Sequence, residues 1–147
     1  MPTSYLSLRF YDDGDGTGKL CARAESGGFA GQGGAYFDIE SIEEFARSII
    51  EYPLVRNYEI SGGFGARAGE LAQEHLGISV YPIDGRGHIG VQVRMATEVW
   101  PDTRPHSEMT VKVEIVTSHE PLRKLSADLL SLVRGNVREI TLNGDSL

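Results

Sequence analysis

The segment 75–100 contains two strand-like runs separated by a glycine-rich turn, and it constrains the fold more than any other part of the chain. In its first run, Ile78 and Val80 share one face. In its second run, apolar residues recur at every second position, which is the period of a half-buried strand. These residues are Ile89, Val91, Val93, Met95 and Val99. The segment is therefore predicted to form an antiparallel hairpin.

The turn of this hairpin sets which side chains face each other. A two-residue loop centred on Asp84-Gly85 would place Val80 opposite Ile89, whereas a loop centred on Gly85-Arg86 would place Val80 opposite Val91. A three-residue loop would put the apolar face of one strand against the polar face of the other. The hydrophobic pattern therefore favours an even-numbered loop, and both centres satisfy it.

Alternating apolar residues predict strands elsewhere in the chain as well. The predicted segments are 5–11, 20–25, 54–61 and 109–115. The glycine-rich stretch before residue 40 is expected to hold a bent or bulged strand at 35–39. Residues 71–75 are ambiguous between strand and helical turn, and 136–142 is a candidate edge strand.

The first predicted helix spans residues 41–52. Ser41 and Glu44 have the spacing of a capping box, in which the serine hydroxyl and the glutamate side chain satisfy backbone N–H groups at the helix start. Pro53 is expected to end the helix, because its ring disfavours helical geometry in the residue before it. The apolar stripe consists of Ile42, Phe45, Ile49 and Tyr52.

The second predicted helix spans residues 120–134. Pro121 falls in the first turn, where its missing N–H costs no hydrogen bond, and Gly135 is well placed to end the helix. Either Ser118 or His119 is expected to cap its start. The apolar stripe consists of Leu122, Leu125, Leu129 and Val133.

The order of these elements predicts an α+β fold, because hairpins of strands alternate with single helices and there is no βαβ repetition. We expect one strongly twisted antiparallel sheet of about six to eight strands, with both helices packed on one face. A chain of 147 residues is consistent with a single domain, 1–147.

Composition limits the classes of partner. The net charge of −7 and the absence of a visible basic cluster disfavour nucleic acid. No apolar run approaches the roughly 20 residues that span a bilayer, so no membrane association is expected. The N-terminal residues lack the features of a secretion signal, which predicts a cytoplasmic protein. The single cysteine, Cys21, is interpreted as a structural thiol in a reducing compartment.

Motifs that carry chemistry are weak in this sequence. Residues 13–18 resemble the start of a calcium loop, but the twelfth position is Ala24, where a bidentate glutamate is required. The glycine-rich stretches 28–34 and 62–65 lack the spacing of phosphate-binding loops. The four histidines lie in separate elements without zinc-site spacing. We therefore predict no cofactor, no metal and no catalytic residue.

Five phrases give the chain a family resemblance. They are GTGKL, SGGFAGQGGAYF, YPL, HLGISVYPIDGRGHIGVQVR and EPLRKLSADLLSLVRG, distributed over residues 16–142. Together they resemble small bacterial proteins of the WapI immunity type. The resemblance implies a stoichiometric inhibitor that binds and blocks the toxic domain of a contact-delivered polymorphic toxin, and it transfers no functional residues.

A protein partner with a basic surface would require acidic residues on this chain, because complementary charge steers association. The candidate partner-binding residues are Asp12, Asp13, Asp15, Glu40, Glu43 and Glu44. Two alternatives remain open. The first is a small ligand-binding or hydrolase-like enzyme with a site on the concave sheet face, lined by glycine-rich corners and histidines. The second is a structural subunit of a larger assembly.

Overall fold

The protein has two sheets where the sequence predicted one. The computed structural model describes residues 4–64, 73–99 and 104–145. These residues form two α-helices and eight strands, with antiparallel pairing throughout. The predicted α+β class and the number of strands are confirmed. The strands divide into two four-stranded sheets.

The first sheet contains the N-terminal strands and the last strand of the described chain. In spatial order it consists of β3 (Phe29–Asp38), β2 (Thr17–Ser26), β1 (Ser4–Asp12) and β8 (Ile140–Asn143). All ten residues of β3 pair with β2 without a register shift. The prediction of a short bulged strand at 35–39 is therefore wrong, and the glycines before it belong to a regular strand.

The second sheet is a meander of four strands in sequence order. They are β4 (Tyr58–Phe64), β5 (Gln73–Pro82), β6 (Ile89–Ala96) and β7 (Thr110–Thr117). Val80 lies opposite Val91, which confirms the register with the turn centred on Gly85-Arg86. The register shift in this sheet lies in β4, at Gly62/Gly63. Residues 71–72 and Trp100 of the predicted strands lie outside the described residues, as does Pro101 in the loop that follows.

The first helix, α1 (Ile39–Ser48), begins earlier than predicted and ends before residue 52. Its N-cap is Asp38, the last residue of β3, so the chain passes directly from strand to helix. Ser41 already lies inside the first turn, and the predicted capping box at Ser41 and Glu44 is therefore wrong. Pairing of Asp38 with Thr17 of β2 fixes where the helix starts.

The second helix, α2 (His119–Val133), agrees with the prediction to within one residue at each end. Ser118 is the N-cap residue, one of the two candidates. The helix ends at the C-cap Arg134, and the next residue, Gly135, has a φ of +79°. Glycine is favoured there because a left-handed residue closes many helices.

The two sheets cross at a steep angle along β3. Gly31 faces the side chain of Val111 on β7, and a Cβ built on Gly33 would lie 3.2 Å from Cβ of Met95 on β6. Ala35 lies against Gly62 of β4. The five residues from Gly31 to Ala35 span about 13 Å along β3, and they pass over four strands whose outer pair is about 14 Å apart. Orthogonal sheet packing follows, with glycine and alanine allowing the close approach.

A single cluster of buried apolar residues joins both sheets and both helices. Helix α1 contacts β3 and β4, whereas α2 contacts β1 and β8. The helices also contact each other, and the buried Ser126 hydroxyl donates to the Ala46 carbonyl at 2.5 Å. No helix among the described residues is long and apolar enough to cross a membrane.

Candidate functional site

The fold brings four of the six predicted partner-binding residues to one end of the molecule. Asp12, Asp13 and Asp15 lie at the β1–β2 turn, and Glu40 lies in the first turn of α1. The backbone N–H of Ile39 donates to the carbonyl of Gly16 at 2.9 Å, which fixes the turn against the helix start. All four acidic side chains are exposed. We refer to these four residues as the acidic end.

Hydrogen bonds hold the aspartates of the turn in place. Asp12 Oδ1 accepts from the backbone N–H of Gly14 at 2.7 Å. Asp15 Oδ1 accepts from both the hydroxyl and the backbone N–H of Thr17, at 2.7 and 3.1 Å. These bonds from Thr17 lower the pKa of Asp15 below its ordinary value, because they stabilise the charged form. The Asp15 carboxylate is therefore fixed in place and ionised at neutral pH.

The other two predicted residues point elsewhere along α1. Glu43 is half-buried and its Oε2 lies 3.6 Å from Nε of Arg134, so it links α1 to the end of α2. Glu44 lines a shallow depression beside Tyr58 and Ile60 of β4. Glu43 and Glu44 are three and four positions beyond Glu40, on the same side of α1 but one helical turn farther along it.

Sequence reasoning missed an ordered polar network on the outer face of the second sheet. Arg94 of β6 is its centre, with Nε 2.9 Å from Oε1 of Glu74 and Nη2 3.2 Å from Oε2 of Glu59. Its Nη1 also donates to Ser79 Oγ at 2.7 Å and to Gln92 Oε1 at 3.1 Å. Arg94 lies opposite Lys112, and its acidic partners come from β4 and β5.

Two glycines create the space for this network. A side chain on Gly77 would collide with the Arg94–Glu74 pair, and one on Gly90 would collide with the ring of Tyr81. The Tyr81 hydroxyl donates to Glu114. Burial, together with that carboxylate, raises the pKa of Tyr81 well above its ordinary value, so the phenol stays protonated. The polar side chains of this network are therefore hydrogen-bonded to one another.

The Arg94–Glu74 pair yields a pH-dependent stability prediction. The guanidinium holds the pKa of Glu74 below its usual 4.5 in the folded state, so this contribution is present above that pH and is lost on acidification. We expect Arg94→Met to lower the free energy of unfolding by about 1–2 kcal/mol at pH 7. The difference from wild type should shrink at pH 3. Urea unfolding followed by circular dichroism at both pH values measures it.

A matched control for this prediction is Arg47→Met, which removes an exposed arginine from the last turn of α1. We expect it to change stability by no more than about 0.5 kcal/mol. If Arg94→Met lost as much stability at pH 3 as at pH 7, packing of the arginine stem would explain the loss, and the charge interaction with Glu74 would not.

A groove lies on the outer face of the first sheet. Its volume is about 650 Å³, within the usual range for small-molecule sites. We call it the outer-face groove, and the residues that line it include Arg9, Lys19, Cys21, Arg23, Gln32 and Glu139. Alternate residues of β1, β2 and β3 supply most of this lining, because the inward residues of these strands belong to the core.

The histidines of the predicted enzyme alternative lie apart from the outer-face groove. His75 is buried, with Nε2 3.0 Å from Oε1 of Gln73, and His88 Nδ1 lies 2.6 Å from Asp84 Oδ2 in the β5–β6 turn. The ring of His119 packs edge-on against Tyr52, with centroids 4.6 Å apart. In the described ranges, no group of three or more metal-ligating side chains could hold a metal ion.

Comparison of the chain with protein-family profiles, with curated proteins and with solved structures gives no significant match.

Proposed function

We propose that this chain is a non-enzymatic binding protein that neutralises a toxin domain, as its resemblance to WapI-type immunity proteins implies. The observation that carries the proposal is the acidic end, where two separate elements converge into one exposed negative surface. Such a surface complements the basic surface with which a nuclease-like toxin domain holds nucleic acid. The partner would thus be covered at the surface it needs for its own activity.

Charge at the acidic end is left available for a partner. None of the ion pairs between described residues involves Asp12, Asp13, Asp15 or Glu40. Complementary charge of this kind raises association rates, and its effect falls as salt is added. The hydrogen-bonded turn also reduces the ordering that binding would require, because its backbone is already fixed.

The test uses the product of the open reading frame adjacent to that of this chain as the candidate toxin domain, purified and also co-expressed with the chain. We expect wild-type protein to restore growth and to bind the domain at 1:1 stoichiometry in calorimetry. A triple variant, Asp12→Asn, Asp13→Asn and Asp15→Asn, should bind at least tenfold more weakly, a change of about 1.4 kcal/mol. Asparagine keeps the Oδ1 acceptors of the turn, so the variant removes charge without removing the turn geometry.

A control variant neutralises two exposed glutamates elsewhere, Glu108→Gln and Glu120→Gln. Its affinity for the toxin domain should stay within about twofold of wild type. Absence of both growth rescue and binding by the wild-type protein would overturn the proposed function. If the triple variant restored growth as well as wild type does, the proposed function would stand, but the acidic end would not be the binding surface.

A further inference from the structure

The outer-face groove carries a local charge opposite to that of the whole chain. The chain has a net charge of −7, yet the groove is lined by Arg9, Lys19 and Arg23 against the single carboxylate of Glu139. Three positive charges and one negative charge leave a balance of +2 among the residues that line the groove. A dianion is therefore the complementary ligand, and a phosphate monoester carries about −1.5 to −2 at neutral pH.

Both guanidiniums of the groove have a partner from another segment: Glu139, the residue before β8, for Arg9, and Tyr5 of β1 for Arg23. Arg9 Nε lies 2.6 Å from Oε2 of Glu139, and Arg23 Nε donates to the Tyr5 hydroxyl at 3.0 Å. A guanidinium anchored through Nε keeps two terminal amino groups, which form the bidentate contact that phosphate oxygens accept. Fixing these side chains in advance lowers the entropy lost when a ligand binds.

Aromatic side chains form one end of the same face. Tyr11, Lys19 and Tyr36 are direct cross-strand neighbours on β1, β2 and β3. The two tyrosines are 54% and 60% exposed, which is unusual for large aromatic residues. Their backbones are two strand spacings apart, about 10 Å, with the lysine between them. A planar ring can stack on either tyrosine while an attached anion reaches the cations of the groove.

Carboxylates close both ends of this face. Asp38 follows Tyr36 on the same face of β3, and Glu25 lies opposite Tyr5 at the other end. A nucleic acid strand would have to pass one of these acidic groups with every added phosphate. The groove therefore suits a single short anion and disfavours a polymer.

We propose that the outer-face groove binds a small phosphate monoester that carries a planar ring, of the size of a nucleoside monophosphate. The phosphate contacts Lys19 and Arg23, with Arg9 beside them, and the ring stacks on Tyr11 or Tyr36. Gln32 also lines the groove, and its side-chain amide can donate to a phosphate or ring oxygen. The site shares no residue with the acidic end, so it can be tested without a toxin partner.

Cys21 provides a direct probe, because it is the only cysteine and lies on β2 between Lys19 and Arg23 on the groove face. AMP, UMP and phenyl phosphate are titrated by calorimetry, and each is tested for protection of Cys21 against N-ethylmaleimide. We expect at least one of the three to bind at 1:1 stoichiometry and to slow alkylation at least fivefold. Adenosine and inorganic phosphate should each bind at least tenfold more weakly.

Variants locate the site. Lys19→Gln and Arg23→Gln should each weaken binding at least tenfold, whereas Lys112→Gln, an exposed lysine on the other sheet, should leave it unchanged. Circular dichroism confirms that each variant is folded. The proposal is overturned if none of the three phosphates binds, if adenosine binds as tightly as AMP, or if a single-stranded oligonucleotide protects Cys21 better than the monomers at equal phosphate concentration.

Discussion

Replacement of Leu129 by alanine is expected to lower the free energy of unfolding by about 3 kcal/mol. Leu129 is 1% exposed and belongs to the cluster that joins both sheets to both helices. Removing three carbon atoms loses their transfer free energy and leaves a cavity. Because sheets and helices meet around this cluster, the surroundings can collapse only partly into the space. Urea unfolding followed by far-ultraviolet circular dichroism measures the change.

The adjacent Leu130 supplies the matched control for this substitution. It lies on the same helix but is only partly buried, at the margin of the cluster. Leu130→Ala should therefore cost about 1 kcal/mol, since less apolar surface returns to water. Equal losses for the two variants would contradict the assignment of the buried face of α2.

The second large effect is expected where the two sheets cross. A Cβ placed on Gly62 would lie 2.7 Å from Cζ of Phe37 and 2.9 Å from Cβ of Ala35. Gly62→Val adds two further methyl groups at that contact, and we expect it to lower the free energy of unfolding by about 3 kcal/mol. Valine is a better strand former than glycine, so the local preference alone would raise stability. A loss of stability would therefore be caused by crowding at this contact.

Gly85→Val is the control for the crossing, because a Cβ at Gly85 has no atom within 4 Å and its φ is not positive. This variant should change stability by no more than about 0.5 kcal/mol. Thermal and urea unfolding of both proteins give the comparison. A Gly62→Val protein as stable as wild type would mean that β3 and β4 are farther apart than described.

Local patterns predicted the individual elements well. Alternation located β1, β2, β6 and β7, because each has one face in the core and one outside it. The even-loop argument left two registers for β5 and β6, and the structure selects the one in which Val80 meets Val91. The second helix was predicted nearly to the residue, because an apolar stripe, Pro121 and Gly135 agree.

Local sequence patterns could not predict the division of the strands into two sheets. It depends on how β3 packs over the second sheet, and the residues that permit this packing are Gly31 and Gly33. When only the local sequence is considered, glycine at these positions is equally compatible with a turn or a bulge. The start of α1 was missed for a related reason, since pairing of Asp38 with Thr17 overrides the local capping signal.

The candidate sites were predictable to different degrees. Composition identified the acidic residues, and only the contact between the β1–β2 turn and α1 showed which of them converge. The outer-face groove had a signal in the alternation of Lys19, Cys21 and Arg23 along one strand. Recognising it required the registers that bring Arg9 alongside. The network around Arg94 joins three strands, and no spacing within one strand reveals it.

The pairing of β1 with β8 has a consequence for how the chain folds. Arg9 and Glu139, which meet across this pair, are 130 positions apart, whereas the β4–β7 meander consists of successive hairpins. Contacts between distant parts of a chain form slowly, because the loop between them must be closed first. During synthesis, the edge of β1 that pairs with β8 therefore stays unpaired until almost all the other described elements have been made. Unpaired strand edges favour aggregation. We expect this interval to be the period in which the protein depends most on chaperones.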